Sequence, residues 1–296
     1  MSYFKTADGT ELFYSVWGKG HPLVLIHGGN IGADVWEFQV PYLADHGYSC
    51  IVYDQRGFAR SDCSAGGYDF DTFADDLAAL INHLNLQRFS AVAFSHGGCL
   101  LGRYLSRHGD SKIDKVVLIA TILPAILKSK DNPEGIDRSL IFDPFYAGMQ
   151  KDRASIFRAS LDEFFAPATA DTQVSESTKD WIMGVALRSS LMPMLEVYKS
   201  SNETDFRKDL KLFGMPTLLI HGKADVFAPA AATAQRVHSA IPGSRLEFYP
   251  GASHGLFFTH QDRLNQDIAE FVGKGARIYE LGADGKKARS AAEILA

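Results

Sequence analysis

The stretch Phe89-Ser90-Ala91-Val92-Ala93-Phe94-Ser95-His96-Gly97-Gly98 decides how this chain is read. Phe89 to Phe94 is a short, nearly continuous apolar run, the pattern of a strand covered by helices on both faces. From Cys99 to Arg107 the apolar residues recur at helical spacing. Ser95 therefore stands on a sharp turn from strand to helix. A serine placed there sits above the carboxyl edge of a sheet with its Oγ exposed and its backbone crowded, so small residues are needed two places before and two after. Ala93 and Gly97 fill those places. The first is glycine in the usual pattern, which makes this an Ala-x-Ser-x-Gly variant of the nucleophile elbow. A serine that only caps the following helix is the alternative.

A serine hydroxyl is a weak nucleophile at neutral pH and needs a base, which in turn needs an orienting carboxylate. Both are found downstream. The strand-like run Thr217 to Ile220 leads into His221-Gly222-Lys223-Ala224-Asp225, and the weaker run Leu246 to Tyr249 leads into Gly251-Ala252-Ser253-His254-Gly255. Asp225 and His254 thus each occupy a loop at the carboxyl end of a strand, in the order Ser, Asp, His that this topology calls for. Acyl transfer also needs N–H donors for a developing oxyanion. The amide of His96, at the mouth of the helix, is one candidate. Gly29, after the buried run Leu23 to Ile26 and His27-Gly28, is the other. His27 is read as a residue that shapes this loop through backbone hydrogen bonds.

Further apolar runs at Cys50 to Tyr53 and Lys115 to Ile119, with a hairpin at Tyr3 to Thr6 and Glu11 to Val16, alternate with helical patterns at 33–46, 73–84, 230–241 and 262–272. Such alternation predicts an α/β chain with a mostly parallel sheet. It lapses between Thr121 and Phe206, where several short helical patterns, five prolines and many aromatics suggest a helical lid. The organisation expected is a core over 1–121 and 207–272, a helical cap over 122–206, and a tail over 273–296 that fits either a frayed end or an oligomer arm.

Composition narrows the function classes. Of 296 residues, 46 % are hydrophobic and 22 % charged, which is ordinary for a globular protein. The net charge of −5 comes without a block of like charges, so nothing asks for nucleic acid or an anionic membrane. The longest apolar stretch, Val116 to Leu127, is broken by Thr121 and Pro124 and falls short of the ~20 residues of a membrane span. The amino end lacks a secretory or transit pattern, so a cytoplasmic location is expected. Cys50, Cys63 and Cys99 form no metal or disulfide pattern. No nucleotide-loop or zinc motif occurs, and no cofactor or metal is expected. The segment Asp54 through Asp62 reads as a loop held by charge pairs, with Arg56 structural rather than a grip for a substrate carboxylate.

Together, His27-Gly28, Trp36-Glu37-Phe38-Gln39, Asp54 through Asp62, Phe94-Ser95, Arg103-Tyr104, Lys115 to Ile119, Asn132-Pro133, Glu203 to Phe206, His221 to Asp225 and Tyr249 to Gly255 resemble the α/β-hydrolase superfamily. Within it they are similar to bacterial arylesterases and perhydrolases, also described as cofactor-free, non-heme haloperoxidases. The resemblance spans roughly residues 1 to 272. It implies an eight-stranded, mostly parallel sheet with helices on both faces and a helical cap, a Ser95–His254–Asp225 triad, and an oxyanion hole from the amides of Gly29 and His96. Three positions depart from the pattern: the family usually carries an aromatic at Gly29, methionine or threonine at His96, and glycine at Ala93. Losing the aromatic should widen the acyl pocket.

The function expected is a serine hydrolase that cleaves small, largely uncharged carboxylic esters or lactones through an acyl-enzyme, with perhydrolysis as a side activity. Trp36, Phe94, Phe142 and Phe164 are the expected pocket residues. The partner is a small-molecule ester or lactone, and a homo-oligomer is left open. Dehalogenase and epoxide-hydrolase chemistry would need aspartate at position 95. Two alternatives stay open. The Ser95 to Gly98 run is also similar to that of cofactor-independent ring-cleaving dioxygenases, and a slow-turnover binding protein could keep the same residues.

Overall fold

A computed structural model describes residues 2–166 and 173–273. Eight strands form one sheet in the order β1-β2-β4-β3-β5-β6-β7-β8. They are β1 (Ser2–Lys5), β2 (Glu11–Trp17), β3 (His21–Ile26), β4 (Tyr48–Tyr53), β5 (Phe89–Phe94), β6 (Ile113–Ile119), β7 (Thr217–Gly222) and β8 (Arg245–Tyr249). The amino-terminal hairpin pairs antiparallel and β2 joins β4 antiparallel, while every pairing from β4 to β8 is parallel. All six residues of β5 are buried, as the run of apolar side chains requires for a strand covered on both faces.

The helices of the described residues are α1 (Gln39–Asp45), α2 (Phe70–His83), α3 (His96–His108), α4 (Phe142–Phe165), α5 (Glu176–Leu187), α6 (Leu191–Glu203), α7 (Ala234–Ala240), α8 (Leu256–Thr259) and α9 (Gln261–Gly273). In α2, Phe70, Phe73, Ala74, Leu77 and Ile81 recur at helical spacing and are buried, and Asp69 caps the first turn by accepting the Thr72 N–H at 3.0 Å. None of these helices is long and apolar enough to cross a membrane.

Two expectations need correction. The pattern over 33–46 is not one helix: a 3-10 turn at Ala33–Trp36, its first N–H held by the Asp54 carboxylate at 2.6 Å, precedes α1. The pattern over 230–241 is helical only from Ala234. Between β6 and β7 lie α4, α5 and α6. Helix α4 breaks at Asp152, whose extended backbone and carboxylate, accepting the Ser155 N–H at 3.0 Å, start a second helical run. The Arg153 guanidinium then donates to the carbonyls of Ser189 and Leu187, tying α4 to the end of α5 and the turn before α6. The tail reading falls on residues 274–296, which lie outside the described residues, apart from Gly273 at the end of α9.

The strand order places β3 and β5 side by side although β4 lies between them in sequence. The chain reverses direction across the sheet there, and the loops leaving the two carboxyl ends open a crevice between them. Gly28-Gly29 leaves β3 and Ser95-His96 leaves β5, so this switch point is where the candidate donors and nucleophile meet.

Candidate active site

Ser95 continues the β5–β6 ladder through its N–H to the Ile119 carbonyl at 2.9 Å and then turns the chain at φ 52° and ψ −117°. A non-glycine residue held there stores strain, which the surrounding ladder and helix must maintain. The turn also forces close approach: a Cβ at Gly97 would lie 2.7 Å from the Ile26 carbonyl oxygen and 2.8 Å from that of His27. Only glycine lets α3 start directly beneath the end of β3.

The loops after β7 and β8 are stitched to each other. Lys223 and Ala224 donate their amides to the carbonyls of Tyr249 and Ala252 at 3.1 and 2.9 Å. A Cβ at Gly222 would come within 2.3 Å of the Ala252 oxygen. This stitching brings Asp225 and His254 together. Nδ1 of His254 donates to Oδ2 of Asp225 at 2.7 Å, and Nε2 stands 3.1 Å from Oγ of Ser95. The other Asp225 oxygen accepts the amides of Phe227 and Ala228, both at 2.9 Å. Burial alone would raise the Asp225 carboxyl, but the charge and hydrogen bond of His254, with help from His221 and the Ala228 amide, hold it below its usual value. His221 Nε2 donates to the Ala228 carbonyl at 2.7 Å and stands 3.6 Å from Asp225 Oδ2; burial pushes its ring toward the neutral form.

The His254 loop also closes the end of α4. Gly255 donates its amide to the Phe164 carbonyl at 2.7 Å, and the Ser253 hydroxyl donates to the Glu163 carbonyl at 2.6 Å. The Phe164 carbonyl is one that a helix end leaves without an intrahelical partner, while that of Glu163 also takes the Ala166 amide at 3.4 Å. The Phe164 and Phe227 rings pack against the His254 imidazole, with centroids at 5.7 and 5.6 Å.

Gly29 and His96 both line the cavity at the switch point, and no acceptor among the described residues takes either N–H. Their loops are held by a buried chain of hydrogen bonds. His27 Nδ1 donates to the Gly28 carbonyl at 2.7 Å, and its Nε2 accepts the Gln55 amide at 3.0 Å. The Gln55 side chain donates through Nε2 to the His27 carbonyl at 2.8 Å and turns Oε1 to His96 Nε2 at 3.0 Å. His96 Nδ1 meets the Ser201 hydroxyl of α6 at 2.9 Å. Burial, with a smaller contribution from His27, lowers the His96 pKa to about 3, so its ring is neutral. Arg56 lies apart from this site: its guanidinium is paired with both oxygens of Asp76, at 2.6 and 2.7 Å, and with Asp8.

Above the Ser95 and His254 side chains lies a cavity of about 730 Å³, roofed by α4, α5 and α6 and opening past Leu140, Ile141 and Val226. Its size and mainly apolar wall suit a small molecule. Phe164 lines it. Trp36, Phe94 and Phe142 do not. Trp36 is buried against Phe257, Phe94 lies beneath His254 and against Phe257, and Phe142 stacks behind Tyr146 and Tyr198. Tyr198, Phe145 and Phe157 take their places on the wall. Gln55, Ser201 and Phe227 were not singled out from the sequence. Phe227, two residues after Asp225, was findable from loop position, whereas Ser201 carried no local signal.

Comparison with known proteins agrees with this architecture. Residues 21–261 match the family model described as the alpha/beta hydrolase fold. The non-heme chloroperoxidase CPO-A1 of Kitasatospora aureofaciens is 36 % identical over 276 residues, covering 93 % of this chain and 100 % of that protein. The bifunctional esterase/perhydrolase DCH of Acinetobacter calcoaceticus is 28 % identical over 277 residues, covering 92 % and 99 %. The crystal structure of a bromoperoxidase from Bacillus anthracis superposes with a TM-score of 0.87 at 37 % identity, covering 92 % of this chain and 100 % of that one. This chain belongs to the α/β-hydrolase fold family, among the hydrolases of its esterase and perhydrolase branch that includes the non-heme haloperoxidases.

Proposed function

We propose that this hydrolase is a serine carboxylesterase for small, largely uncharged esters or lactones, with Ser95 as nucleophile, His254 as general base and acid, and Asp225 as its orienting carboxylate. The observation that carries the reading is the relay from Asp225 to His254 at 2.7 Å and from His254 to Ser95 at 3.1 Å. With Nδ1–H given to Asp225, the His254 Nε2 lone pair faces the Ser95 hydroxyl. Ser95 Oγ attacks the ester carbonyl carbon as Nε2 takes its proton, and the Gly29 and His96 amides stabilise the oxyanion. Collapse breaks the bond to the leaving alkoxide, which receives the proton from His254. Water repeats the cycle on the acyl-enzyme and releases the acid. Peroxide in place of water would give a peracid, a side activity in line with that of the esterase/perhydrolase relative. The reading assigns 122–206 to a cap that shapes the acyl site.

The test is turnover of p-nitrophenyl esters from acetate to octanoate, phenyl acetate and simple lactones by the wild type and Ser95→Ala. Sustained turnover by the wild type and a loss of at least about 10⁴-fold in Ser95→Ala are expected. A single burst without further turnover would instead mark a binding protein, and full activity in Ser95→Ala would remove Ser95 as nucleophile.

A further inference from the structure

The hydrogen-bond chain behind the oxyanion loops has only one consistent arrangement of protons. The His27 carbonyl can only accept, so Gln55 must direct its NH₂ there and its Oε1 toward His96. The neutral His96 ring then carries its proton on Nε2 and presents a lone pair at Nδ1. Ser201 must donate its hydroxyl proton to that lone pair. The hydroxyl is left with lone pairs alone. Ser201 lies on the cavity wall, and it is one helical turn from Val197 on the same face of α6. Val197 packs over Gly29: a Cβ built at Gly29 would meet Val197 Cγ1 and His96 Cβ, each at 3.8 Å. Gly29, His96 and Ser201 line the same cavity, with Val197 closing the space directly over position 29.

We propose that Ser201 is a specificity-determining residue for the acyl half of the substrate: its hydroxyl, locked as an acceptor by His96, selects esters or lactones whose acyl chain bears a hydroxyl donor one or two carbons from the carbonyl. This rests on the esterase reading above. Ser95, His96 and Ser201 line one cavity, so an acyl group carried on Ser95 shares that space with the Ser201 hydroxyl. A hydroxyl on the acyl chain gives that acceptor a donor, and a plain alkyl chain leaves it without one in a mainly apolar wall. An acceptor of this kind favours the matched substrate because the unmatched one leaves a buried polar group unpaired.

The test compares kcat/KM for the p-nitrophenyl esters of butyrate, 2-hydroxybutyrate and 3-hydroxybutyrate, in the wild type, Ser201→Ala and Ser201→Cys. Intrinsic reactivity is removed by dividing each rate by that of alkaline hydrolysis. The wild type is expected to favour one hydroxyacyl ester over butyrate by roughly fivefold to tenfold, and both variants to bring that ratio close to one. A merely structural role for Ser201 would slow all three esters equally and leave the ratio unchanged, which would overturn the proposal, as would a wild type that prefers butyrate. If the alanine variant does not fold, the cysteine variant, which keeps the size but accepts weakly, reads the same ratio. Absence of turnover with all three esters in the wild type would overturn the esterase reading, and this assignment with it.

Discussion

Asp225 and His254 are joined by a 2.7 Å hydrogen bond through one carboxylate oxygen, while two backbone amides occupy the other. In Asp225→Asn the side-chain oxygen must stay with the amides of Phe227 and Ala228, which can only donate. The NH₂ group then faces His254 Nδ1, and the imidazole is forced to carry its proton on Nε2, where it cannot accept from Ser95. A fall in kcat of about 10⁴-fold is expected with little change in thermal stability. Steady-state kinetics with a p-nitrophenyl ester checks it; a loss below tenfold would contradict the relay.

Gly97→Ala tests the close approach beneath β3. The added methyl would meet two backbone carbonyl oxygens at 2.7 and 2.8 Å, neither at the end of a flexible side chain. The start of α3 must shift, moving the Ser95 turn and the His96 amide together. We expect destabilisation of about 1–3 kcal/mol in urea unfolding and a larger proportional loss in kcat than in substrate binding.

The neutral, buried His96 ties stability to pH. Its folded pKa of about 3 lies below the ordinary histidine value of 6.5. Between those values the unfolded chain binds a proton that the folded chain refuses, so stability is complete above about pH 6.5 and declines as pH falls toward 3. The slope from one such group reaches about 1.4 kcal/mol per pH unit. His96→Met should show a flatter decline in denaturant midpoints from pH 7 to pH 4.5. The decline persists in part, because burial lowers His21, His27 and His221 as well. Identical slopes for wild type and variant would refute a neutral His96.

Arg56 supports the fold from outside the cavity. Its bidentate pairing with Asp76 is buried, and burial pushes the Asp76 carboxyl up against the pull of the guanidinium. Arg56→Met leaves Asp76 in an apolar setting without its partner and should cost about 3–5 kcal/mol. Asp76→Asn in the same background should recover part of the loss. Thermal unfolding of the single and double variants measures this, and a single variant as stable as wild type would show the pair to be dispensable.

Much of this molecule was legible in the chain because the signals are local. A buried parallel strand needs consecutive apolar residues, an elbow needs small neighbours around its serine, and loop residues at strand ends are marked by the strands before them. Ser95, Asp225 and His254 each carry such a mark, and the strands that present them lie on one side of the sheet in the order β5, β6, β7, β8. Helix beginnings were less legible: α1 starts only at Gln39, after a separate 3-10 turn whose first amide is held by the Asp54 carboxylate from the loop after β4.

The cavity wall was decided only in three dimensions. Periodicity shows that aromatics crowd the segment before β7, but a break at Asp152 rotates one part of α4 against the other, and Phe142 ends behind Tyr198 while Phe164 faces His254. The partner of His96 was equally hidden, since Ser201 lies 105 residues away on a different helix. Residue pattern determines which elements form and which loops can carry reactive groups. Which side chains meet across them depends on how packed helices rotate and where distant carboxylates and amides find hydrogen-bond partners, and no stretch of neighbouring residues encodes that.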